Sequence, residues 1–137
     1  MMSKLIEQLK MHEGFRSKPY KCTAGKLTIG YGRNIEDVGI SKEEAELLLQ
    51  SDIVNCVGLL ASNNLLYGAS DRDDVLVNMC FNLGINRLLK FKKMIAAYKA
   101  GDYELAAKEM LDSKWARQVP NRAKELAEQM RTGEYQE

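Results

Sequence analysis

The sequence predicts an α+β fold dominated by helices, and three observations predict it. Apolar periodicities of three and four residues, bounded by capping residues, recur along most of the chain. One stretch, residues 15–36, breaks that rhythm with Pro19, Gly25, Gly30 and Gly32 among β-favouring Tyr20, Thr23, Leu27, Thr28, Ile29 and Tyr31. At 137 residues the chain is domain-sized, or two small lobes sharing a core.

The first helix is predicted over residues 3–13. Leu5, Ile6 and Leu9 form its apolar face, Ser3 is the N-cap, and Gly14 punctuates its end. His12 reads as helix surface, or as a minor modulator of its neighbour Glu13. In the β-rich stretch, T-A-G-K at 23–26 reads as a tight turn between two short strands, with a third after the Gly30-Tyr31-Gly32 bend. So small a sheet must lean on helices, which implies a cleft.

Ser41 and Glu44 make a capping box, opening a long helix to about residue 61 whose face carries Ala45, Leu48, Leu49, Asp52, Ile53, Cys56 and Leu60. Asn63, Asn64 and Gly68 break the pattern. Ser70 or Asp71 then caps a helix with a Val75, Leu76, Met79, Cys80, Leu83 stripe, apolar enough to be central and buried. Gly84 ends it. Short helices follow at 86–90 and 92–100, the latter stopped by Gly101. Asp102 caps a helix carrying Leu105, Ala106, Met110 and Leu111. A turn of helix surrounds Trp115, and Pro120 starts the last helix, through residue 130.

The totals exclude several function classes. Lys+Arg of 20 against Asp+Glu of 19 leaves +1, without the basic excess of a nucleic-acid binder. Attraction to an anionic wall would have to come from local patches. Three cysteines without C-x-x-C, and one histidine, are too few ligands for a zinc site, and no cofactor is implied. An odd, irregular cysteine count is no disulfide framework and suits a reducing compartment. Cys56 and Cys80 fall in apolar helical patterns, as small buried thiols do. The N-terminal M-M-S-K-L-I-E-Q-L-K-M-H-E-G has no apolar run fit for a signal peptide or membrane span.

Chemistry concentrates in residues 13–33, E-G-F-R-S-K-P-Y-K-C-T-A-G-K-L-T-I-G-Y-G-R. A glutamate at a helix end is followed by a hairpin that can bring Cys22 and Thr28 to face its carboxyl. E-G-x-R-x-x-x-Y, a polar or nucleophilic residue at 22, then T-I-G-x-G resembles the phage-type lysozymes. The same order continues in I-S-K-E-E-A-E at 40–46, N-M-C-F-N-L-G at 78–84, Trp115 with Q-V-P-N-R-A-K at 118–124, and R-T-G at 131–133. The resemblance covers nearly the whole chain. It departs at Cys22, where the family usually carries aspartate.

The resemblance implies a single lysozyme-like domain. A small hairpin lobe (about 14–60) would be joined through the long helix to a helical lobe (about 1–13 plus 61–137), with the active-site cleft between them. It implies an endolysin muramidase cutting the β-1,4 bond between N-acetylmuramic acid and N-acetylglucosamine. Such a reaction needs a proton donor on the leaving oxygen and a second group that guides water or attacks. Glu13 suits the donor, provided it is held away from water or near negative charge. Cys22 takes the second position as base, nucleophile or bystander, and Thr28 holds the attacking water. Arg122 is expected to orient the glutamate. Phe81 and Asn82 line the cleft floor, and Asn34 sits at its rim. Arg33 and Asp52 match a structural ion pair.

Two rivals stay open. A lytic transglycosylase needs one carboxyl alone, and a non-catalytic peptidoglycan-binding module would explain Cys22 as decay. The implied partner is the glycan strand. The implied setting is a monomer without stable membrane insertion, made in the host cytoplasm and reaching the periplasmic wall after a holin permeabilises the membrane. Whether the anomeric configuration inverts or is retained depends on the separation of the two groups.

Overall fold

A computed structural model describes residues 2–66 and 70–136. The elements in chain order are helix α1 (Met2–Glu13), strands β1 (Arg16–Lys21), β2 (Leu27–Gly30) and β3 (Arg33–Asn34), and helices α2 (Lys42–Ser62), α3 (Asp71–Leu83), α4 (Ile85–Leu88), α5 (Lys92–Lys99), α6 (Tyr103–Leu111), α7 (Lys114–Gln118) and α8 (Pro120–Thr132). The predominantly helical α+β class is as the sequence predicts. The chain divides into two compact units, Met1–Leu48 and Leu49–Glu137.

In the first unit, α1 starts at Met2, so Ser3 lies inside the helix rather than capping it. Its Leu5, Ile6, Leu9 face forms but none of the helix is buried. Gly14, at φ +69, ends it with an N–H donated to the Lys10 carbonyl at 2.9 Å. The sheet is antiparallel in the order β1-β2-β3. Tyr20 pairs with Thr28 and Thr28 with Asn34, while the β1 register slips between Arg16 and Tyr20. Pro19 lies in that slip. It has no N–H to give the ladder, so an irregular outer strand is where it fits.

The capping box is reciprocal: Glu44 N–H donates to Ser41 Oγ at 3.1 Å and Ser41 N–H to Glu44 Oε1 at 2.8 Å. The Glu44 carboxylate is also gripped by both terminal nitrogens of Arg33, whose Nη1 donates at 3.0 Å to Glu44 and at 3.0 Å to the Gly39 carbonyl. The ion pair expected between Arg33 and Asp52 is therefore made with Glu44, a carboxylate already oriented by the cap. Arg33 holds Glu44 down to about 2, with the Ser41 N–H adding to the effect.

The second unit is held by a hydrophobic core. Leu60, Leu65, Val75, Leu76, Met79, Leu88, Met94, Ala106, Met110, Ala123 and Met130 are all within 1% of complete burial. Ser70 caps α3 by accepting the Asp73 N–H, and Asp102 caps α6 by accepting the Leu105 N–H. Gly84 ends α3 as expected. The expected break at Gly68 lies outside the described residues.

Two predicted faces shift. On α6 the buried set is Ala106, Ala107 and Met110, with Leu105 and Leu111 exposed. Small alanines let that helix approach α8 closely, and leucines on either side of the contact point outward. On α2 Cys56 and Leu60 join the core, whereas Leu48, Leu49 and Ile53 are exposed. At 21 residues α2 is long and apolar enough to cross a membrane by length and composition. The expectation of no membrane insertion weighed the N-terminus and not this helix. Its Cys56 and Leu60 belong to the core of the second unit.

Candidate active site

The candidate site in the first unit is built from the end of α1 and the hairpin. Gly14 turns the chain immediately after Glu13, leaving its carboxylate, which is exposed, at the helix end. That carboxylate lies against Gly32. A Cβ at position 32 would sit 2.6 Å from Glu13 Oε2 and 2.9 Å from its Cδ, closer than atoms can approach. Gly32 also has φ +74, a region that β-carbon-bearing residues avoid. The second glycine of T-I-G-Y-G is thus required by its backbone conformation, and the Glu13 side chain rests against it closely enough that any β-carbon there would displace the carboxylate. Reading the sequence picked out the motif and missed this contact. The glycine pair astride Tyr31 was the available signal.

Cys22 stands at the far end of β1, half-buried, where the predicted turn closes as expected. Its N–H donates to the Lys26 carbonyl at 3.0 Å and its carbonyl accepts the Gly25 N–H at 2.8 Å. Backbone hydrogen bonds from Lys26 and Ala24 favour the thiolate and hold the Cys22 thiol below its ordinary value. Partial burial opposes them, and the Thr28 side chain adds to the lowering. The structure therefore brings Cys22 and Thr28 together.

Thr28, 3% exposed, is the one buried residue among those described in the first unit. Its hydroxyl donates to the Lys26 carbonyl at 2.8 Å and also faces the Cys22 sulfur. One proton cannot serve both acceptors at once. In the structure it rests on the Lys26 carbonyl. Asn34, across the strand from Thr28, spends both ends of its amide on a turn. Its Nδ2 donates to Asp37 Oδ2 at 3.0 Å and its Oδ1 accepts the Asp37 N–H at 3.1 Å. N-x-x-D after a glycine bend is a turn signal that the sequence carries.

Phe81, Asn82 and Arg122 belong to the second unit. Asn82 Oδ1 accepts the Trp115 indole N–H at 2.8 Å, leaving its amide N–H groups at an exposed position. Arg122 Nε donates to Asn78 Oδ1 at 2.9 Å. Arg122, Asn78 and Phe81 line one pocket together with Asp74 and Tyr135. The Asn78 contact was not foreseen, although N-M-C-F-N places Asn78 one turn before Asn82. Among the described residues no group of three or more His, Cys, Asp or Glu is disposed to hold a metal ion.

Comparison with known proteins returns matches along most of this chain. A family model described as phage lysozyme matches residues 10–132. The chain is 29% identical to probable T4-type lysozyme 1 of Dictyostelium discoideum, over 97% of this chain and 96% of that protein. It is 32% identical to an endolysin of Acyrthosiphon pisum secondary endosymbiont phage 1, covering 82% and 77%. It is 34% identical to an endolysin of Bacillus phage B103, covering 80% and 43%.

Proposed function

The chain belongs to the phage lysozyme family, and on that premise we propose that Glu13 is the general acid with which it cleaves peptidoglycan. It is a glycoside hydrolase, a muramidase acting on the β-1,4 bond between N-acetylmuramic acid and N-acetylglucosamine. The observation that carries the Glu13 assignment is its carboxylate seated on Gly32, within the hairpin that also joins Cys22 to Thr28.

In this reading the protonated Glu13 carboxyl gives its proton to the glycosidic oxygen as the C–O bond breaks and positive charge develops on the sugar ring. The glycan lying over this exposed helix end excludes water from it. Cys22 supplies the second group. Its thiolate, favoured by the Lys26 and Ala24 amides, takes a proton from water or bonds the anomeric carbon directly. Thr28 steadies whichever form is present, giving its hydroxyl proton to the sulfur or keeping a lone pair for the water. If Cys22 acts as base, its proton returns through solvent to the Glu13 carboxylate. If it bonds the sugar, Glu13 takes a proton from the water that attacks the anomeric carbon, and the C–S bond breaks to release the thiolate.

In the second unit, Asn82 offers its amide N–H groups to sugar while Trp115 fixes its carbonyl. Arg122 and Phe81 supply cationic and aromatic contacts from their shared pocket. Asn34 contributes through the turn it anchors at the end of β3. The endolysin relatives favour host-cell lysis as the setting. The enzyme would be monomeric, made in the cytoplasm and admitted to the wall by a holin.

The test is mass spectrometry of soluble fragments from purified Gram-negative sacculi. The expected fragments end in hydrated N-acetylmuramic acid. Ends of the 1,6-anhydro type would make the protein a transglycosylase, and no fragments from folded protein would leave it a binding module. The contribution of Cys22 is read in the same assay. Cys22→Ala should slow release by on the order of a hundredfold, the lower range for losing a proton-transfer group. Parental activity in that variant would make Cys22 a bystander.

A further inference from the structure

We propose that the corner formed by α4, α5 and α7 is a docking site for an anionic phospholipid surface, separate from the residues assigned to catalysis. The first observation is charge distribution. From residue 75 to residue 101 the chain carries no Asp or Glu, yet it carries Arg87, Lys90, Lys92, Lys93 and Lys99. With 20 cations and 19 anions in the whole chain, the remainder holds fifteen cations against nineteen anions. A nearly neutral protein therefore has one segment of purely basic charge, and four of its five cations, Arg87, Lys90, Lys92 and Lys93, fall within seven residues.

The second observation is where the fold puts it. Arg87, Lys90, Lys92 and Lys93 line a pocket of about 480 Å³, joined by Lys114 from the start of α7. All five are exposed. Glu109 and Asp112 also line the pocket, so the rim is five cations to two anions. None of these seven takes part in an ion pair among the described residues. The excess of three cations on this rim is an unfavourable local concentration of charge that an anionic surface relieves.

The third observation is the floor. Half-buried Phe91 and Leu83 supply its apolar surface, Phe91 packing edge-on to the buried Trp115 with ring centroids 6.2 Å apart. A cationic rim over an apolar floor suits a phosphate attached to an aliphatic body better than a purely polar polyanion. Leu88 and Met94 are committed to the protein core, at 0% and 1% exposure, so the segment cannot insert as a free amphipathic helix. Docking is peripheral and electrostatic, and would hold the enzyme at a membrane it must leave or pass to reach the wall.

The experiment is vesicle co-sedimentation of the full chain with phosphatidylglycerol–phosphatidylethanolamine vesicles, against neutral phosphatidylcholine vesicles, at low and high salt. The expected result is binding to the anionic vesicles alone, lost at high salt. The variant Lys90→Glu/Lys92→Glu/Lys93→Glu should weaken it at least on the order of a hundredfold, at roughly fivefold for each lysine removed. The milder Lys→Gln triple variant, checked for parental thermal unfolding, keeps the test valid if charge reversal disturbs the fold. Equal binding to neutral vesicles, or undiminished binding by both variants, overturns the proposal. So does loss of binding to purified sacculi without any vesicle binding, which would make the corner a reader of wall carboxylates. Fragment release from purified sacculi is measured alongside and should be unchanged in the triple variants. The docking proposal does not depend on the Glu13 reading, because vesicle binding is expected even of the Glu13→Gln protein.

Discussion

The two units of this chain solve stability in opposite ways. The second unit, residues 49–137, buries a core built from α2, α3, α4, α5, α6, α7 and α8, in which four methionines and several leucines lose nearly all their exposure. The first unit, with Thr28 its one buried residue, relies on local devices: a capping box gripped by Arg33, a turn closed at Cys22, and glycines at positive φ. Burial of large side chains contributes more stability per residue than exposed hydrogen bonds do. What the first unit gains is access. Its polar groups stand at helix ends and turns where a long polymer can reach them, and most of the proposed chemistry lies there. The contrast suits the proposed site, which would sit on a thin, hydrogen-bonded element while large side chains are buried in the other unit.

The contrast can be broken from the core side first. Met79→Ala, on a residue at 0% exposure, should cost about 2–5 kcal/mol of unfolding free energy in a denaturant titration. A cost below about 1 kcal/mol would mean the second unit is not the stabilising one.

In the first unit, Gly32→Ala adds a Cβ on top of Glu13 at a positive φ. It should cost about 1–3 kcal/mol from backbone strain and depress fragment release much more than the loss of folded protein explains. Release that falls only in step with folding would show that the glutamate does not depend on its glycine seat.

The smallest expected effect is electrostatic. Glu44 is held at about 2, below an unfolded value near 4.3. The sign follows from the depressed folded value. Its contribution is fully present above the unfolded value and is lost as pH falls from about 4.3 toward 2. Glu44→Gln should therefore lower the melting temperature slightly at neutral pH and converge with the parent near pH 2. Curves separated equally at both ends would remove Arg33 as the cause. The pair is partly exposed, so high salt should shrink the difference.

Much of the fold was legible in the sequence because its signals are local. Ser41 with Glu44, Ser70, Asp102, Gly14, Gly84 and Pro120 each bound an element through contacts within about four residues. Choices that depend on distant neighbours were less legible. Whether Arg33 would take Glu44 or Asp52 depends on where the loop through Gly39 brings the start of α2. Which side of α6 faces inward depends on the approach of α8, and alanines there outrank leucines. In the site, Glu13, Cys22 and Thr28 were marked by motif, whereas the Glu13–Gly32 seat and the shared Thr28 proton arise from folding the hairpin back. Asn78, the partner of Arg122, gave no chemical signal beyond its place in a helix.

The most direct test of the central claim is fragment release from purified sacculi by Glu13→Gln, with thermal unfolding recorded on the same sample. Gln keeps the shape of the side chain and cannot give up a carboxyl proton. The expected result is release reduced by about a hundredfold to ten-thousandfold, with an unfolding curve close to the parent because the second unit carries the stability. Fragment release at the parental rate by folded Glu13→Gln protein would contradict the assignment and move the search for the acid away from the end of α1.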